Sequence, residues 1–207
     1  MLRRRMDPLG RAALEALLAL APQAGDPLVF ASRWGELSRT EQLLDALAQA
    51  EPLSPTQFGL SVHNAVGALY SIARAERGNY LAVAAGANSV EAGFIEALGL
   101  LADGAERAIV VAYDGPPPPR CAAALAAGRA EPLSGDAAGV HAFACELVRG
   151  NAADLALTAG ATPQAQATET ALPDALDVLR FLVASDASHL VRGEPGGRGW
   201  RWERGHV

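Results

Sequence analysis

His63 and Asn64 form the most conspicuous polar pair of the chain, set in Ser61-Val62-His63-Asn64-Ala65 where a helix is expected to begin. With Ser61 or Ser89 as nucleophile, His63 could serve as a general base, the arrangement of a small serine hydrolase or acyltransferase. No nucleophile stands beside His63 in sequence, so a plainer role weighs more. Polar side chains at a helix start satisfy backbone groups that lack intrahelical partners. Ser61 and Ser89 read as cap-like serines on the same logic. Cys121 and Cys145 lie among apolar residues, where a thiol keeps a high pKa and stays inert. The other imidazoles, His141, His189 and His206, have no ligand spacing, and no Cys-x-x-Cys pair or phosphate-binding glycine loop is present. Neither a metal nor a cofactor is therefore expected.

Gly86 carries more information. The apolar run Tyr80-Leu81-Ala82-Val83-Ala84 precedes it and a helical pattern follows, so position 86 faces the positive end of a helix. A Cys there would have its thiolate stabilised by the helix dipole and free N–H groups, as an acyl-transfer nucleophile requires. Glycine offers no side chain. The residue is either an ordinary turn glycine or the place of a lost nucleophile.

The frame that must hold these residues is set by composition first. The chain has 207 residues, half of them apolar, with 23 acidic and 17 basic side chains and a net charge of −6. Such a length suits one domain that buries roughly 70% of its unfolded surface. Every basic residue is Arg, a bias of coding to which we attach no function. Net negative charge argues against nucleic-acid binding, and two cysteines are too few for a disulfide framework, which fits the cytoplasm. Arg3-Arg4-Arg5 and the alanine-rich stretch after it imitate a signal peptide. Asp7 and Glu15 interrupt the run, and Leu14, Leu17, Leu18 and Ala21 follow helical spacing, so an amphipathic N-terminal helix within residues 1–25 is expected. No stretch is long and apolar enough for a membrane span.

The periodicity predicts alternating strands and helices. Residues 27–32 read as a short buried strand. Ser38-Arg39-Thr40-Glu41 and Ser54-Pro55-Thr56-Gln57 have the capping-box pattern, the first opening a helix with Leu43, Leu44 and Leu47 on one face. Phe58 follows the second as an apolar anchor. Val62, Val66, Leu69, Tyr70 and Ala73 mark the inward stripe of a further helix. After the strand at 80–84, Asn88 and Glu91 are placed to cap a helix carrying Val90, Phe94, Ala97, Leu98 and Leu101. The apolar strand 108–113 comes next, and strand–helix–strand within this length is the signature of a parallel βαβ unit. Beyond four prolines at 116–119, Cys121 to Ala127 reads as helix, and His141 to Val148 as a strand with Phe143, Cys145 and Leu147 on one side. Residues 150–170 are small and weakly patterned, the expected mobile loop. Asp174 to Ala184 reads as a helix using Leu176, Leu179, Leu182 and Val183, and residues 188–207 as a terminal hairpin.

From Ser54 to Asp114 these residues resemble the N-terminal half of a β-ketoacyl synthase, of the α/β thiolase fold. Ser54, Phe58, Ser61-Val62-His63-Asn64-Ala65 and Gly67 are similar to the segment before the synthase nucleophile. Ala85-Gly86-Ala87-Asn88-Ser89-Val90-Glu91-Ala92 lies over the family's Ala-Cys-Ser-Ser-Ser-Leu-x-Ala, which puts Gly86 on the cysteine. The nearest subgroup is the short synthase-like proteins of aryl-polyene-type pigment pathways, which resemble chain-length factors. The likeness fades after Asp114.

The resemblance implies a layered sheet, one ketosynthase-like N-terminal domain over residues 1–207, and no condensing activity. The thiol is missing, as are the C-terminal histidines and the active-site lysine of a synthase, and the chain has no Lys at all. Decarboxylative condensation needs a thiolate to hold the acyl group and imidazoles to stabilise the enolate. It further implies that the strand Tyr80 to Ala84, which pairs across the two-fold axis in that fold, is a sheet edge open to a partner. That partner is expected to be a full-length β-ketoacyl synthase, with acyl carrier protein as a further candidate. A self-associating scaffold that binds acyl carrier protein is the alternative outside the catalytic class.

Overall fold

A computed structural model describes residues 6–127, 139–150, 155–161, 172–184, 188–193 and 198–205. The first helix, α1 (Pro8–Ala19), begins where Asp7 accepts the N–H of Gly10 at 2.8 Å and Pro8 occupies the first helical position, a place where its missing N–H has no cost. Its buried side is Leu9, Ala13 and Leu17. Of the expected stripe, Leu17 is buried and Leu14 is half-buried against the same core, while Leu18 and Ala21 are exposed. Residues 1–5, with the arginine triplet, lie outside the described residues.

Strand β1 (Leu28–Ala31) is buried throughout. It leads through a turn at Gly35 into α2 (Leu37–Ala48), α3 (Pro55–Gly59) and α4 (Ala65–Arg74), then strand β2 (Tyr80–Val83). Helix α5 (Ser89–Ala102) and strand β3 (Arg107–Asp114) follow, then α6 (Pro119–Ala127) and strand β4 (His141–Val148). The four strands form one sheet in the order β2-β1-β3-β4. β1 is parallel to both β2 and β3, and β4 is antiparallel to β3. The β2–α5–β3 crossover is parallel as the sequence predicts, but it steps over β1 instead of joining neighbours.

Alternation along each strand sorts the core into two layers. Leu28, Phe30, Ile109, Val111 and Tyr113 face α1 and α4, meeting Leu9, Leu17, Val66 and Tyr70. Val29, Val110, Ala112 and Phe143 face Val90, Phe94 and Ala97 of α5 and, beyond it, α7 (Asp174–Val183). With both faces covered, the inner strands β1 and β3 can be apolar on every residue, as parallel sheets require. Cys145 and Leu147 pack on the same layer as Phe143, as their spacing predicts.

Three more strands, β5 (Leu155–Ala161), β6 (His189–Gly193) and β7 (Arg198–Arg204), make a second, antiparallel sheet in the order β5-β7-β6. Trp202 of β7 joins it to the first core, its ring 4.8 Å from that of Phe94 and nearly perpendicular to it, a favourable edge-to-face geometry.

Several expectations are corrected. The Ser38 capping box does not form. Gly35, at φ +51, already turns the chain into the helix one step earlier, and Glu36 is the residue before its first turn. The Leu44–Leu47 face of α2 is exposed. Ser54 does cap α3, accepting from Gln57 N at 3.3 Å, but Phe58 is 64% exposed and anchors nothing among the described residues. Val62 and Ala73 are exposed, as is Leu98 on α5. Helix α7 turns Ala175, Val178 and Phe181 inward; the expected Leu179 and Leu182 are half-buried against the same core, and Val183 is exposed. In the expected loop 150–170, residues 155–161 are β5; 151–154 and 162–171 lie outside the described residues.

Candidate functional site

Strand β2 ends at Val83, and Ala84 and Ala85 lead into a single 3₁₀ turn, Gly86–Asn88, that opens α5. Gly86 has φ +60 and is exposed, and a methyl group built on it would touch nothing. The turn therefore uses the conformational freedom of glycine while leaving space for a side chain that is not there. Neither expected cap acts as one: Asn88 makes no side-chain bond to the helix. Ser89 fastens the turn instead, its hydroxyl accepting from Ala85 N at 3.0 Å and donating to Gly86 O at 2.7 Å.

Glu91, expected as a cap, is fully buried and paired with Arg192 of β6 at 2.7 Å. The guanidinium also meets Asp174 at 2.9 Å and Asp177 at 3.6 Å, and donates to Ala87 O at 3.0 Å. Trp202 donates its indole N–H to the same Glu91 oxygen at 3.3 Å. Burial opposes the charge on Arg192, but the Glu91 and Asp174 carboxylates outweigh it and raise its pKa. One cation thus binds α5, α7 and the second sheet together directly behind the Gly86 turn.

In front of the turn is a cleft walled by Arg33, Trp34, Asp114, His141 and Asp174. Asp114 at the end of β3 accepts from Ser32 Oγ at 2.9 Å, Arg33 N at 2.8 Å and Trp34 N at 3.0 Å. Burial raises its pKa, and those three hydrogen bonds oppose the rise. Arg33 reaches Asp174 at 3.4 Å. His141 bonds Gly139 O through Nδ1 at 3.0 Å, and its Nε2 is buried without a partner among the described residues. The cleft contains a helix N-terminus, an imidazole and two carboxylates, but its one serine, Ser89, is tied to backbone on both sides.

The remaining sites of the sequence analysis separate from the cleft. His63 donates Nε2–H to Val83 O at 3.3 Å, so it does tie a helix start to neighbouring backbone; Asn64 makes no such bond. Ser61 donates to Phe58 O at 2.9 Å. The alternative pairing of His63 with Ser61 or Ser89 is not formed. Gly67 leaves room for the Tyr80 ring where α4 meets β2. Cys121 lies on α6 and Cys145 on β4, the latter with its pKa raised by burial. Among the described residues no group of His, Cys, Asp and Glu could hold a metal, and no helix is long and apolar enough to cross a membrane. Tyr80 to Val83 form an edge strand with β1 as their neighbour in the sheet, Leu81 is exposed, and Ala84 lies just past its end. His141, Arg33 and Asp174 escape a sequence reading because only the fold brings them to Gly86.

A mixed sheet between helices, with a bare strand–turn–helix at the end of β2, defines an α/β protein of the ketosynthase, thiolase-like type. The chain belongs to the β-ketoacyl synthase N-terminal domain family, whose sequence profile matches residues 1–203. The match extends well past Asp114, where the resemblance by motif fades. The structure is similar to one in the complex of a ketosynthase with its chain length factor from Xenorhabdus doucetiae, at 30% identity and a TM-score of 0.79. That alignment covers 97% of this chain and 79% of the other. It also resembles the ishigamide ketosynthase/chain length factor, at 15% identity and a TM-score of 0.65 over 96% of this chain and 80% of that one, a likeness of fold. No curated protein sequence matches.

Proposed function

We propose that this chain is a non-catalytic, chain-length-factor-like subunit that pairs with a full-length β-ketoacyl synthase in polyketide- or fatty-acid-type biosynthesis of the aryl-polyene kind. Gly86 carries the reading. The strand, the turn and the helix that would activate a thiol are all kept, and the residue at their junction has no side chain. Among the described residues of the cleft no hydroxyl or thiol is free to hold an acyl chain, since Ser89 is bonded to Ala85 and Gly86 and both cysteines lie elsewhere. The hydrolase alternative loses support on the same ground, because the hydroxyls of Ser61 and Ser89 both donate to carbonyls.

Pairing is supported by the edge. β2 is short, carries no charge and no proline, and has a neighbour on one side only; strands of that kind invite pairing with another chain. The similarity to a ketosynthase–chain length factor complex points to a synthase as the partner. Co-expression with a full-length ketosynthase from the same genome tests this. The two chains are expected to co-purify one to one, and Val83→Glu, which puts a charge into the edge, is expected to abolish the complex. A chain that, purified alone, is loaded by an acyl thioester and turns it over would refute the proposal.

A further inference from the structure

The imidazole of His63 takes no part in an acyl-transfer site, yet it is part-buried and seated at the one junction where the edge strand ends. Val83 O accepts twice there, from Ser32 N–H of the β1 side at 3.1 Å and from His63 at 3.3 Å. A carbonyl only accepts, so the bond places the His63 proton on Nε2. The ring rests against Gly35, where any added carbon would overlap it. Gly35 is itself held by its N–H on Ser32 Oγ at 2.8 Å. The loop before α4, the loop after β1 and the end of β2 are thereby joined through one side chain.

This junction decides what the free edge offers. Backbone groups alternate in direction along a strand. With Val83 O turned toward β1, the N–H and C=O of Tyr80 and Ala82 point away from the sheet. They are the rung that an added strand would use. A four-residue edge strand frays readily at its end, because each terminal residue is held by few bonds.

We propose that His63 is a positioning residue for the partner interface: by holding Val83 O it keeps the outward rung at Tyr80 and Ala82 in the register a partner strand requires. The inference rests on the reading of β2 as the docking edge. The imidazole acts from behind the edge, through the backbone, without touching the partner.

Binding of the co-expressed ketosynthase, measured by calorimetry, tests it together with the urea midpoint of the isolated chain. His63→Ala is expected to weaken binding at least tenfold beyond any loss accounted for by the midpoint. His63→Gln, which keeps an N–H donor at the same reach, is expected to stay within threefold of the unaltered chain. Binding by His63→Ala within threefold, or a loss by His63→Gln as large as that of His63→Ala, would overturn the inference alone. No binding by the unaltered chain would overturn the docking-edge reading and this inference with it. Should His63→Ala fail to fold, the 15N spectrum of the unaltered protein decides: it must show the proton on Nε2, and the Nδ1–H tautomer is the overturning result.

Discussion

Glu36, just before α2, lies in the field of Asp7, the cap of α1, and its ionisation should govern how the chain responds to pH. The side chain is only 5% exposed. Its carboxyl is pushed from the ordinary 4.5 up to about 7, by burial first and then by the neighbouring charge of Asp7. The ion pair with Arg39, at 2.7 Å, opposes the rise without cancelling it. Tyr113, buried on β3 with no partner for its hydroxyl among the described residues, lies in the same field. Burial and the charge of Glu36 raise its pKa as well.

The sign follows from proton binding. Between pH 4.5 and about 7 the folded chain keeps a proton on Glu36 that the unfolded chain has released. The contribution of this group is therefore complete below the unfolded value and is lost as pH rises through the folded one. At about 1.4 kcal/mol per pH unit, that interval corresponds to about 3 kcal/mol, a large part of the 5–15 kcal/mol typical of a domain (roughly). Glu36→Gln stays neutral throughout. Urea unfolding of both proteins at intervals from pH 4.5 to 8 gives the test, since the difference between them removes the other titrating groups. The unaltered chain is expected to lose stability relative to the variant by about 3 kcal/mol across this range. A difference that is flat, or that moves the other way, would refute the assignment of a high pKa to Glu36.

Two further outcomes follow from the site. Arg192→Met leaves Glu91 buried without its cation and removes one of the two arginines that meet Asp174, so it should cost about 3–5 kcal/mol, read as a lowered urea midpoint. A cost under about 1 kcal/mol would show that the second sheet is not held through this pair. Gly86→Cys puts a side chain at φ +60, so it should cost about 1–2 kcal/mol of stability, but the space is open and the thiol should react with a small alkylating reagent. It should form no condensation product alone, because among the described residues His141 is the only imidazole lining the cleft, and product detected by mass spectrometry would contradict the account.

What was legible in the sequence was local. β1, β2, β3 and α5 announce themselves because their apolar spacing and their stops lie within a dozen residues, and Gly86 falls at the boundary between two such patterns. The faces of the alanine-rich helices were less legible. In α1 the sets Leu14–Leu18 and Leu9–Ala13–Leu17 have the same helical spacing, and only the sheet beneath selects the second. Strand β5, Leu155–Ala161, is too poor in large side chains to show alternation, and its pairing with β7, some forty residues on, defines it. Glu91 looked like a cap because it follows Asn88 at capping distance. Its real partner is a hundred and one positions away, beyond the reach of any window.

The Gly86 turn is held in shape without help from a side chain at position 86. His63 holds Val83 O, Ser89 holds Ala85 N and Gly86 O, and Arg192 holds Ala87 O. The three side chains come from different parts of the chain, and each acts on backbone rather than on whatever stands at position 86. The support of the turn therefore does not depend on a side chain at position 86. A turn maintained by three separate polar anchors is costly to leave in place unless its surface is used, because each anchor is a polar group that burial would otherwise penalise. The use consistent with a missing thiol, an exposed Gly86 and an open neighbouring strand is contact with another chain.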